Sequence, residues 1–199
     1  MSTPPRGMVG AEIVRAIFGA YRLAHFDSTG LAYFNNTVEG FWRSFIAAAL
    51  AAPAAAIMVI LSWSLAAEAG EPLAHGILHS ALVEALTYVI AWTAFPLAMH
   101  FVCEIAGWRD RYIAYIVALN WANLFEIAIL LPVFAIAAGG LLPAGLTVLI
   151  QFAVYGFIVA YEIFVARRAL QIAVLPAVGV VVGGLALSFA VRALGDSIL

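Results

Sequence analysis

The 199-residue sequence is 66% hydrophobic and only 10% charged, with a mean hydropathy of +1.08, far above the roughly 45–50% apolar content of a soluble domain. That balance excludes an ordinary water-soluble fold and leaves room for one bundle of membrane helices with a short soluble arm. The net charge of −2 points to no nucleic-acid partner, and the single cysteine, Cys103, excludes an intramolecular disulfide and reads as a buried reduced thiol.

In chain order, residues 1–40 form a cytoplasmic amphipathic arm. Charges scattered through residues 1–24 rule against a signal peptide. Over residues 8–26 the apolar Val9, Ile13, Ile17, Phe18, Tyr21 and Leu23 alternate with Glu12, Arg15 and Arg22 at helical spacing. Such a helix is too charged to span; its apolar stripe lies in the headgroup boundary or packs on the cytoplasmic ends of the bundle. Residues 27–30 break it, and Asn36 with Glu39 reads as a capping box opening the next helix.

Residues 41–199 then form a five-helix transmembrane bundle, so the fold class is an all-α integral membrane protein with an N-terminal amphipathic helix. Phe41, Trp42 and Arg43 make an interface anchor, and residues 45–67 are long enough for span one, with Pro53 expected to bend it. Span two covers residues 73–101, with Pro72 in its first turn and His79, Glu84, Thr87, Tyr88 and His100 along it. Span three covers residues 112–138, span four 146–165, ending at Glu162, Arg167 and Arg168, and span five 171–191. Gly179 and Gly183 in span five stand four apart, the small-residue spacing that lets helix backbones meet. They are expected to pack within the bundle, with self-association or contact to a membrane-protein partner as the alternative.

All nine basic residues are arginines, and eight of them fall in residues 1–43, the second loop or the fourth loop, leaving only Arg192 in the C-terminal tail. The positive-inside rule places the N-terminus in the cytoplasm and the C-terminus outside, with the lipid bilayer as the principal partner.

The residues expected to carry chemistry are the polar ones buried in apolar spans. Asn120, Asn123 and Glu126 recur every third residue on span three, Glu84 and Tyr88 share a face of span two, and Gln151 sits on span four with Tyr155 one turn below. Depth counted from the helix ends lets Glu84, Gln151 and Glu126 meet, with Glu126 close to the midplane. Two carboxyls in an apolar site favour a shared proton or cation, which suits a proton, ion or small-solute pathway; alternatively Glu126 simply fixes helix register through hydrogen bonds. Glu71, His75 and His79 form a weak metal candidate through their four-residue spacing, against titratable or interfacial roles. No cofactor is implied, since His79 and His100 lie about 30 Å apart along one helix. Glu104, Arg109, Asp110, Arg111, Glu162, Arg167 and Arg168 are expected to pair at the inner interface. The signatures of hydrolases, zinc proteases and phosphate-binding loops are missing from the sequence, so a non-enzymatic role is expected, either transport or an accessory or scaffold subunit.

The layout, a cytoplasmic amphipathic arm before five close-packed spans with the short basic loop Gly107–Arg111, resembles the Yip1-type membrane proteins. The Asp-Leu-Tyr-Gly-Pro pattern of that family's eukaryotic branch is absent, so the resemblance assigns no functional residue. The alanine-rich, lysine-free composition also resembles small inner-membrane proteins of bacteria with GC-rich genomes.

Overall fold

The computed structural model describes residues 6–71 and 75–198. It is 87% helical, with no strand among the described residues. Helix α1 (Arg6–Ala24) leads through a 3-10 turn (Ser28–Tyr33) to α2 (Val38–Ser44) and α3 (Ile46–Glu68), followed by α4 (Ile77–Ala106), α5 (Tyr112–Ala138), α6 (Ala144–Leu170) and α7 (Val174–Asp196). Five segments are long and apolar enough to cross a membrane: Val38–Glu68, Ile77–Ala106, Arg109–Ala138, Ala144–Leu170 and Val174–Asp196. The expected number of spans is therefore met, and Pro53, Pro96 and Pro132 each lie inside a continuous helix.

Several boundaries move, for local reasons. Thr37, not Asn36, caps α2: its hydroxyl accepts from Gly40 N–H at 3.0 Å, while Glu39 is drawn off to Arg43. Helix α4 starts only at Ile77, after Gly76 at φ 78°, and runs to Ala106, where Gly107 at φ 75° closes it and Trp108 N–H reaches the Cys103 carbonyl at 2.8 Å. The expected role of Pro72 lies outside the described residues. Helix α6 continues five residues past the predicted end, because Arg167 and Arg168 suit its last turn and Gln171, in the left-handed conformation, terminates it. Helix α7 runs to Asp196 and takes Arg192 out of the tail and into the bundle.

Helix α5 is the central element. It packs most extensively against α3 on one side and α6 on the other; α6 then packs on α7, and α7 on α4. Its stretch from Tyr115 to Ala122 is buried throughout, and so is Glu126. Cys103 is a buried free thiol, as expected.

The arm packs along the flank of the bundle and not on its tips. The buried face of α1 is built from small residues, Ala16, Ala20 and Ala24, with Leu23, whereas Val14, Ile17, Phe18 and Tyr21 stay exposed. The predicted stripe is thus split: alanines let α1 approach α5 and α6 closely, and the larger side chains form a second, open apolar face. Tyr161 of α6 donates its hydroxyl proton to the Ala20 carbonyl at 3.1 Å, Tyr21 meets Phe125 edge-on, and Phe26 meets Phe157 and Phe164. Glu12 latches the arm to the start of the bundle by accepting from Asn35 Nδ2 at 2.9 Å and from Arg43 at 2.7 Å.

At the end of α1, Asp27 accepts from the Thr29 hydroxyl and N–H and from Arg22. These contacts, the Thr29 pair foremost, hold its carboxyl down at about 2. Because the folded carboxyl is the stronger acid, its stabilising contribution is complete above the ordinary carboxylate range near 4 and is lost as pH falls through about 2. Asp27→Asn should therefore lower the stability of the arm at neutral pH and flatten its response to acid, as read by limited proteolysis of the arm between pH 2 and 7.

Candidate functional site

Helices α4 and α7 approach closely because α7 offers glycines at the crossing: a Cβ on Gly184 would stand 2.8 Å from the Phe95 ring and one on Gly195 2.6 Å from Thr87 Oγ1. Gly179 and Gly183 do not serve this purpose. Neither has a neighbour where its Cβ would be, and both line an open groove of about 400 Å³ with Phe95, Met99, Val102 and Trp108. The expectation that they pack within the bundle is corrected: the predicted spacing is present, but both glycines face the open groove beside α4, and no neighbour closes on them.

Near the end of the bundle remote from the arm, Arg192 of α7 meets Glu84 of α4 in a bidentate pair, at 2.8 and 3.0 Å. Arg192 also places Nε 2.9 Å from Asp196. Glu84 is nearly enclosed, at 9% exposure, whereas the Arg192 side chain is 49% exposed. The pair borders a groove of about 500 Å³ between α3 and α4, lined among others by Ser62, Thr87, Tyr88, Trp92 and Phe134. Tyr88 donates its hydroxyl proton to the Ala48 carbonyl at 2.7 Å and ties α4 to α3.

Towards the arm a smaller cavity of about 100 Å³ is lined by Asn120, Asn123, Glu162 and Tyr115. Ala91, Trp92 and Ser188 border both spaces, so the cavity and the groove share a wall at Trp92. Asn120 donates from Nδ2 to Ser44 Oγ at 2.8 Å, and Ser44 passes its own proton to the Phe41 carbonyl. Glu126 lies six residues further along α5, about 9 Å beyond that bond at the helical rise. Counted along α5 it stands at the middle of the helix, fourteen residues after Tyr112 and twelve before Ala138.

Glu126 is 8% exposed and turned away from the outer surface. Its Oε1 has no hydrogen-bond partner among the described residues. It is an electrostatic neighbour of Glu162, and the hydroxyls of Tyr115 and Tyr161 lie in the same field. Glu162 is thus not the interfacial residue expected from the sequence. It sits eight residues before the end of α6, makes no ion pair among the described residues, and lines the cavity.

The expected meeting of Glu84, Gln151 and Glu126 does not occur. Glu84 faces α7; Gln151 is half-buried on α6 and lines neither space, and Tyr155 points outward at 51% exposure. The spacing of Glu71, His75 and His79 is not helical either, because α4 begins only at Ile77. The two imidazoles still approach, with ring centroids 5.0 Å apart, but no group of three metal-ligating side chains is present among the described residues. His100 is exposed beside Phe101 and Tyr112. At the second loop Glu104 and Arg109 pair at 3.7 Å, both well exposed.

Arg192, Glu162 and Ser188 are the site residues that the sequence reading passed over. For Arg192 a signal existed: a carboxylate within an apolar span calls for a cation at matching depth, and Arg192 is the one basic residue at the C-terminal end of span five. The chain matches no family model, no curated protein and no solved structure.

Proposed function

We propose that the chain is a multi-pass inner-membrane protein that conducts a proton or small cation and makes or breaks no covalent bond. The observation that carries this reading is that the two spaces share the wall Ala91, Trp92 and Ser188, with Glu84 and Arg192 on the groove and Asn120, Asn123 and Glu162 on the cavity, while Glu126, buried nearby on α5, keeps an Oε1 without a hydrogen-bond partner among the described residues. Intramembrane acids on facing helices are what proton relays use, and they persist there at a cost of roughly 3 kcal/mol each on insertion scales. The inner cavity, about 100 Å³, holds around three waters at about 30 Å³ each. It is well below the roughly 300 Å³ at which pockets for larger organic solutes begin, so size favours a proton or bare ion. The arginine count orients the arm end toward the cytoplasm.

The test is proton uptake by liposomes containing the purified protein and an entrapped pH dye, driven by a potassium diffusion potential. Wild type should acidify the lumen faster than protein-free vesicles, and Glu162→Gln should lower that rate at least tenfold. Rates equal to protein-free vesicles, with sodium and potassium flux also absent, would sink the proposal.

A second reading, a non-catalytic accessory or scaffold subunit with the Yip1-type layout, is favoured by the open apolar groove along Gly179 and Gly183. Its test is co-purification from native membranes. A partner released by Gly183→Leu while proton flux is nil would support it.

A further inference from the structure

We propose that the groove between α3 and α4 binds a lipophilic monovalent cation, an ammonium or phosphonium centre on an apolar body, with Glu84 as its counter-ion. At about 500 Å³ the groove lies in the size range that holds drug-sized molecules. It is open, with α3 packing chiefly on α5 and α4 on α7, and the Tyr88 hydroxyl bridging the two walls. Its walls are apolar, from Ala55, Met58 and Val59 to Ile127, and the rings of Tyr88, Trp92 and Phe134 add aromatic surface that attracts cations.

The sign of the guest's charge follows from how the Glu84–Arg192 pair is built. Glu84 is the enclosed member and Arg192 the half-exposed one, and Arg192 already holds a second acceptor in Asp196. A guest cation can take over Glu84 while Arg192 keeps Asp196, so the buried carboxylate is never left without a counter-charge. A guest anion would have to take Arg192 and strand Glu84 in an apolar wall, which is the costlier exchange. This inference shares Glu84 with the conduction reading but does not rest on it, since equilibrium binding in the groove requires no flux.

The experiment is equilibrium binding to the full-length protein in nanodiscs, comparing tetraphenylphosphonium with tetraphenylborate, which match in size and differ in charge. We expect saturable binding of one phosphonium per chain, and at least tenfold weaker binding of the borate after subtraction of partition into empty nanodiscs. Glu84→Gln should weaken phosphonium binding at least tenfold, and Val59→Trp, which fills the groove without touching a charge, should do the same. Equal binding of the two probes, no saturable component, or unchanged binding in Val59→Trp would overturn the proposal. Val59→Trp decides the matter if Glu84→Gln cannot be purified.

Discussion

Arg192→Leu is expected to lower the stability of the protein in mild detergent by about 2–3 kcal/mol, and the double substitution Glu84→Leu with Arg192→Leu to recover most of that loss. The single change leaves the Glu84 carboxyl, 9% exposed, facing apolar groups and without its two charge-assisted hydrogen bonds. Removing one partner of a buried pair typically costs about 3–5 kcal/mol. The lower figure applies here because the Arg192 side chain is half-exposed, so solvent already screens the pair. Replacing both partners with apolar groups removes the desolvation penalty with the attraction, which is why such replacements are often neutral. Thermal unfolding of the four members of this double-mutant cycle measures the coupling directly. A single mutant as stable as the wild type would mean that the pair contributes nothing to holding α4 on α7.

What could be read before the structure, and what could not, divides along physical lines. Five helices long and apolar enough to cross a membrane were legible because length and apolarity act residue by residue and need no partner. That Glu126 faces inward was also legible, since a carboxyl pointing at acyl chains is too costly to persist. The pairing of helices was not. Depth counting put Glu84, Gln151 and Glu126 at comparable levels, yet level says nothing about azimuth, and α4 turned out to pack on α7. The helix ends mattered more than their small errors suggest: extending α6 by five residues moved Glu162 from the interface to the cavity, and extending α7 moved Arg192 from the tail to Glu84. The α6 extension depends on terminal signals, arginines in a last turn and a left-handed closing residue, that an apolar window averages away, whereas α7 carries neither signal and ends at Ser197 in the ordinary helical region. The arm shows the same limit. Its large apolar residues drew attention, but alanines make its contact face, because close helix packing selects small side chains that carry no periodic hydropathy signal.

That dependence on close approach gives the second large effect, at Gly40. A Cβ added there would overlap the Asn35 carbonyl, a backbone atom that cannot swing aside as a side-chain tip would. Asn35 is no idle neighbour: its Oδ1 accepts from the Thr37 hydroxyl, and its Nδ2 donates to Glu12, the latch of the arm. To make room, Gly40→Ala must move the turn that caps α2 and pull Asn35 off Glu12, leaving Arg43 as that carboxylate's remaining partner. Loss of the cap costs about 1 kcal/mol and overpacking typically 1–3 kcal/mol, so a total of about 2–4 kcal/mol is expected. Gly10→Ala, whose added methyl meets nothing within 4 Å, supplies the matched control on the same arm and should be neutral or mildly stabilising. Limited proteolysis distinguishes the two: Gly40→Ala should release a fragment cut between α1 and α2 at protease levels that leave wild type and Gly10→Ala intact. Equal resistance of all three would mean that the arm is held by its contacts with Phe125, Phe157, Tyr161 and Phe164, and that the Glu12 latch contributes little.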